Sequence, residues 1–140
     1  SKPVKESTIV CKNKMEELTR ITAFVDGLAT EFNIDSLVVN QLQLAIEEAV
    51  VNVINYAYPA YTDCESSLSA SLDDGILTFV LSDSGAPFDP TAKADPDITL
   101  GVEERPIGGL GIFLIKKIMN EVSYRRINDC NVLTMKKKII

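Results

Sequence analysis

Apolar residues recur at helical spacing from about residue 36 to just before Pro59, and a polar line runs through them. A helix turns about 100° per residue, so Glu48 and Asn52 stand one above the other, with Gln41 and Asn55 on the same stripe. Val38, Leu42, Ala49 and Val53 flank that stripe on one side. Leu37, Leu44 and Val51 flank it on the other, and Ser36, Asn40, Gln43 and Glu47 form a separate strip suited to solvent. A polar stripe bordered by apolar rows points to a pocket wall, because desolvating an unpaired carboxylate is costly. The competing reading is an i,i+4 polar pair on an exposed helix, and the separate solvent strip counts against it.

The rest of the chain supplies partners for this helix. Residues 9–12 read as a short strand, and residues 14–32 as a helix with Met15, Leu18, Ile21, Val25 and Leu28 at its core spacing. Asn33-Ile34-Asp35 breaks it, and Asp35 or Ser36 can cap the next helix. Residues 66–72 and 76–81 alternate around Asp73-Asp74-Gly75 as a hairpin. Residues 82–109 are rich in Pro, Gly and Asp, and a segment of that length reads as a functional lid or as disorder. Residues 110–119 are helical, and residues 121–127 and 131–137 pair through Asn128-Asp129. The order β-α-α-β-β-loop-α-β-β predicts an α+β two-layer sandwich, with three helices on one face of a mixed, mostly antiparallel sheet.

Composition narrows the chemistry. The 140 residues, 46% hydrophobic and 24% charged, suit one soluble domain. No apolar run is expected to span a bilayer, no leader is visible, and neither a membrane nor nucleic acid is expected as partner at a formal charge of −6. The basic Lys136-Lys137-Lys138 reads as a solvated strand end. Cys11, Cys64 and Cys130 are scattered and without metal-ligand spacing, which fits a reducing cytoplasm. The chain has no histidine. That excludes a Ser-His-Asp triad, a Cys-His pair and a phosphohistidine acceptor, and leaves oxygen donors for any metal.

Two further motifs follow the helix. In Leu81-Ser82-Asp83-Ser84-Gly85-Ala86-Pro87-Phe88-Asp89-Pro90, Asp83 can accept from an exocyclic amine, and Gly85 lets the backbone approach a flat ring. Taken alone, Asp-x-Gly also makes an ordinary turn. Gly108-Gly109-Leu110-Gly111 opens a helix whose free N–H groups and dipole suit an anion; a packed hinge is the alternative. It lacks the lysine of a Walker A loop and the spacing of a dinucleotide fingerprint.

In order and spacing these motifs resemble the GHKL superfamily of ATP-binding domains. Glu48-x-x-x-Asn52 is similar to its N box, Asp83-x-Gly85 to its first glycine box, and Gly109-x-Gly111 to its second. The stand-alone anti-sigma-factor serine/threonine kinases of bacterial partner-switching systems are the branch most resembled, through Glu-Ala-Val-Val-Asn, Asp-Ser-Gly-Ala-Pro-Phe-Asp-Pro and Gly-Gly-Leu-Gly-Ile-Phe-Leu-Ile. The resemblance runs over nearly the whole chain and implies a Bergerat (GHKL ATPase) fold as one domain, 1–140, with an ATP lid at about 91–107.

It implies roles as well. Asn52 would ligate Mg²⁺, Glu48 would be general base toward a protein hydroxyl or water, and Asp83 with Gly85 would receive adenine. Gly108, Gly109, Leu110 and Gly111 would face the phosphates. Arg105 is a candidate for the terminal phosphate by its chemistry and lid position, with a solvent-facing side chain as the alternative. The implied function is ATP-dependent phosphorylation of a small antagonist protein, with a sigma factor or other regulator as second partner and a homodimer as assembly. Two departures stand out. Pro87 sits where many members have glycine, and Tyr56 replaces a common histidine. The alternatives are a module that binds ATP or ADP and switches partners without catalysis, and the nucleotide domain of a histidine kinase.

Overall fold

Five alternating segments hydrogen-bond into one sheet, and three helices cover the face that carries their apolar residues. The computed structural model describes residues 5–57, 64–92 and 109–139. Its strands are β1 (Lys5–Lys12), β2 (Glu65–Asp73), β3 (Ile76–Asp83), β4 (Glu121–Ile127) and β5 (Cys130–Lys138), in the spatial order β1-β2-β3-β5-β4. All four pairings are antiparallel, which narrows the expectation of a mixed sheet. Two-residue turns close both hairpins. Asp74 and Gly75 (φ 52° and 79°) and Asn128 and Asp129 (φ 50° and 61°) hold the left-handed backbone that matches strand twist.

Leu68 and Ala70, Leu77, Phe79 and Leu81, and Leu133 and Met135 are buried on the covered face. The opposite parity mixes Ser67, Ser69 and Ser71 on β2 and Thr78 and Ser82 on β3 with the apolar Ile76, Val80 and Val132. Against the apolar face lie α1 (Leu18–Glu31), α2 (Ser36–Asn52) and α3 (Gly109–Ile118). They contribute Ile21, Val25 and Leu28, then Leu42, Ala45, Ile46 and Ala49, then Ile112 and Ile115. Each large side chain removed from water in this way contributes about 1.5–3 kcal/mol.

α1 begins later than its periodicity suggests, after a 3-10 turn at Met15–Glu17. The Glu17 carboxylate accepts the Lys12 N–H (2.9 Å) and the Arg20 guanidinium (3.0 and 3.1 Å), tying the end of β1 to the start of the helix. Those bonds, the Lys12 N–H first, hold the Glu17 carboxyl below its ordinary range.

Two expectations about the second helix are corrected. Gln43 and Glu47 face α1, not solvent: Gln43 Nε2 donates to Thr22 O (3.2 Å) and Asp26 Oδ1 (2.9 Å), and Thr22 Oγ1 donates to Glu47 Oε1 (3.2 Å). Leu37 and Leu44, assigned to an apolar border, are 72% and 42% exposed. Periodicity groups residues on a face but does not say which neighbour the face meets. The helical run Ser36–Ala57, 22 residues of mean hydropathy 1.3, does reach the length and apolarity of a membrane span, contrary to expectation. Leu42, Ala45, Ile46, Ala49, Val50, Val53 and Ala57 of this run lie in the core between sheet and helices.

Candidate functional site

The site assembles where α2 ends. After Asn52 the helix widens into a π turn, Val53–Ala57, whose extra residue per turn re-aims the chain toward the β3 end. Across from it β3 runs inward at Leu77, Phe79, Leu81 and Asp83, so strand alternation itself delivers the Asp83 carboxylate to the covered face. The loop after Asp83 then leans on the π turn. Ala86 N–H donates to Ala57 O (3.1 Å), and the Phe88 ring stacks on Tyr56 with centroids 4.9 Å apart and planes at 19°. Gly85 is required there, since a Cβ would fall 2.5 Å from Ala57 O and 2.8 Å from Ala57 C.

The second close approach joins α3 to α2. A Cβ at Gly111 would lie 2.8 Å from Glu48 Oε2 and 3.7 and 3.8 Å from the two amide atoms of Asn52. The glycine motif therefore lies directly against the Glu48–Asn52 pair. Asn52 is 6% exposed, Glu48 is half-buried, and neither side chain hydrogen-bonds to any described residue. Two adjacent polar side chains without a partner among the described residues suit a ligand site.

Asp83 contrasts with them. It is 4% exposed, and its Oδ1 accepts from Gly85 N–H (3.0 Å) and Asn131 Nδ2 (2.9 Å). Among the described residues Oδ2 receives no hydrogen bond. Gly109 and Leu110 open α3, as expected of a phosphate-facing helix start. Arg105 and Gly108 lie outside the described residues, as does the expected lid apart from Thr91 and Ala92. Those two belong to a short 3-10 turn, Pro90–Ala92, held by Asp89 Oδ1 accepting from Thr91 N–H (2.9 Å) and Oγ1 (2.6 Å). Among the described residues no cluster of three His, Cys, Asp or Glu side chains forms a metal cage.

Sequence reasoning missed Asn131, Tyr124 and Arg126. Asn131, 5% exposed on β5, bonds to the Asp83 loop, and Arg126 Nη1 donates to Gly85 O (2.8 Å). A signal was present: Asn131 shares strand parity with Leu133 and Met135, and a carboxamide on a core-facing row calls for a buried partner.

Comparison with known proteins agrees with this geometry. The histidine kinase-like ATPase domain family matches residues 11–137. A protein of Listeria monocytogenes named serine-protein kinase RsbW is 28% identical over 102 residues, covering 70% of this chain and 65% of its own length. Serine/threonine-protein kinase BtrW of Bordetella bronchiseptica is 27% identical over 94 residues, covering 67% of this chain and 66% of its own length. The chain thus spans just under two thirds of these two relatives. The solved RsbU and RsbW domains of a Mycobacterium tuberculosis protein superpose with a TM-score of 0.70 at 14% identity, over 96% of this chain and 32% of that one. A histidine kinase domain from Erythrobacter litoralis gives a TM-score of 0.54 at 13% identity, over 89% of this chain and 60% of that one.

Proposed function

The chain belongs to the histidine kinase-like ATPase domain family, and from that premise we propose that it is an ATP-dependent serine/threonine protein kinase. The observation that carries this reading is the pair Glu48 and Asn52, held against Gly111 and without a hydrogen-bond partner among the described residues. A domain that only stored nucleotide would need the Asp83 loop and the glycines but has little use for a half-buried carboxylate beside a carboxamide.

The donors present suit magnesium. A carboxamide oxygen is a hard ligand of the kind Mg²⁺ takes alongside phosphates and waters, and Gly111 leaves open the space beside Asn52 that a Cβ would fill. Asn52 is the residue proposed to hold the ion, which when bound would neutralise charge on the transferring phosphoryl group. Glu48 is proposed to accept the proton from an attacking serine, threonine or water oxygen as that oxygen bonds to the γ-phosphorus and ADP leaves. Asp83 reads the adenine amino group beside Gly85, and Gly108 to Gly111 present amides to the phosphates. Arg105 is assigned to the terminal phosphate, with residues 91–107 as lid.

The substrate in this reading is a small antagonist protein of the anti-sigma type. A sigma factor or another regulator is the competing partner, and a cytoplasmic homodimer is the acting form. A module that switches partners without catalysis is the alternative.

Titration calorimetry with ATP and GTP, with and without Mg²⁺, tests the pocket. Magnesium-dependent binding of ATP and not GTP is expected, and absence of both removes the kinase reading. In Glu48→Gln, ATP affinity should persist while phosphate release from ATP falls on the order of 10²-fold or more. Wild-type turnover in that variant takes Glu48 out of the mechanism.

A further inference from the structure

One buried side chain in the molecule is saturated with hydrogen bonds and has no part in the chemistry proposed above. Asn131 Nδ2 donates to Asp83 Oδ1 (2.9 Å) and to Ala86 O (2.8 Å). Its Oδ1 accepts from Phe88 N–H (3.1 Å) and from the Tyr124 hydroxyl (2.5 Å). Both partners of Nδ2 can only accept along these bonds and both partners of Oδ1 can donate, so the orientation of the carboxamide is determined by its surroundings. One strand residue thus grips the loop at Asp83, Ala86 and Phe88. Arg126, on the inward row of β4 with Tyr124, adds a fourth hold at Gly85 O (2.8 Å).

We infer that Asn131 is the positioning residue for base recognition, steadied by Tyr124, and that the β4–β5 hairpin sets the preference of the pocket for adenine over guanine. The inference rests on the reading of Asp83 as the adenine contact. A carboxylate on a strand end can rotate about its last bond. Two donors converging on Oδ1, the Gly85 N–H and Asn131 Nδ2, determine that rotation and aim Oδ2. An adenine presents an amino group there, whereas a guanine presents a carbonyl oxygen that a fixed acceptor repels. If the carboxylate were free to turn, the pocket would keep its shape but lose the directional contact that separates the two bases. Asn131 also holds the backbone of Phe88, whose ring stacks on Tyr56, so the same residue ties the loop to the π turn.

Calorimetry on the whole chain with Mg-ATP, Mg-GTP and magnesium tripolyphosphate separates this role from a structural one, with Asp83→Asn as reference. Asn131→Asp replaces the donor with an acceptor facing Asp83 and Ala86 O. It should lower ATP affinity on the order of tenfold or more and shrink the ATP-to-GTP ratio in step, with tripolyphosphate binding unchanged. Asn131→Thr keeps one hydroxyl donor on a residue that suits a strand, and should recover most of the ratio. Tyr124→Phe removes only the hydroxyl bond, so a loss of about threefold is expected.

A folded Asn131→Asp with the wild-type ratio overturns the inference. So does a variant that loses all three ligands equally, which assigns Asn131 to the fold alone. Should Asn131→Asp not fold, an unaltered ratio in Tyr124→Phe overturns it. If Asp83→Asn binds ATP as the wild type does, the adenine assignment falls and the inference with it. Loss in Asp83→Asn beside an unaltered Asn131→Asp overturns the inference only.

Discussion

Two glycines, both singled out by their motifs, face different neighbours, and this separates their expected effects. The Cβ of Gly85→Ala would meet backbone, Ala57 O at 2.5 Å, which moves only with the π turn. We expect a loss of about 1–3 kcal/mol in denaturant unfolding, together with weaker nucleotide binding. The Cβ of Gly111→Ala would meet the far end of a flexible side chain, Glu48 Oε2 at 2.8 Å, which can swing aside. Unfolding should then be nearly unchanged, while phosphate release from ATP falls on the order of tenfold or more because the carboxylate is displaced. Equal unfolding penalties in the two variants would contradict this division. Glu48, Asn52 and Asp83 were legible because their residue types contradict their surroundings. Asn131 carried the same contradiction, but its meaning depends on pairing with Asp83, 48 positions away in sequence.

At the scale of elements, helical and alternating periods located all five strands and all three helices, and the ends shifted by a few residues. The start of α1 was misplaced because the Glu17 bonds favour a 3-10 turn over helix continuation at Met15–Glu17. The π turn was also not legible, since its residues Val53, Ile54, Asn55, Tyr56 and Ala57 continue a helical pattern without a break. Its cause is tertiary, in the contact with the Gly85 loop. The Gln43 row is the same kind of case. Gln43 bridges α2 to α1 through Nε2 while its buried Oε1 has no partner among the described residues, so the gain from the bonds is partly offset. Gln43→Ala should lower stability by about 1 kcal/mol in urea unfolding. ATP affinity should be unaltered, because the bridge lies on the far side of α2 from Glu48. A change in affinity as large as the change in stability would show that the two helices position the site jointly.

At the scale of the whole molecule, the core protects one thiol of three. Cys11 is 3% exposed on the inner row of β1, while Cys64 and Cys130 are half-buried. Burial pushes the Cys11 thiol above its ordinary value; Arg20 opposes that push and Glu17 adds to it. The folded chain therefore holds Cys11 protonated at a pH where the unfolded chain has begun to ionise, and stability falls as pH rises past the ordinary thiol range. With Ellman's reagent at mildly alkaline pH, two thiols should react quickly. The third should react slowly, at a rate that rises with urea in step with global unfolding. Three equal rates would mean that β1 opens locally.

Local sequence pattern was enough to determine the α+β class, the helical layer, the hairpin turns and the residue types of the candidate site, because side-chain period and turn chemistry act between near neighbours. Other features came from packing alone. These are the burial of Gln43 and Glu47 against α1, the exposure of Leu37 and Leu44, the π turn, and the grip of Asn131 on Asp83. Each depends on which face of one element meets which face of another. A chain's own periodicity carries no term for that choice, which is made by the total free energy of burial and hydrogen bonding across the assembled sheet and helices.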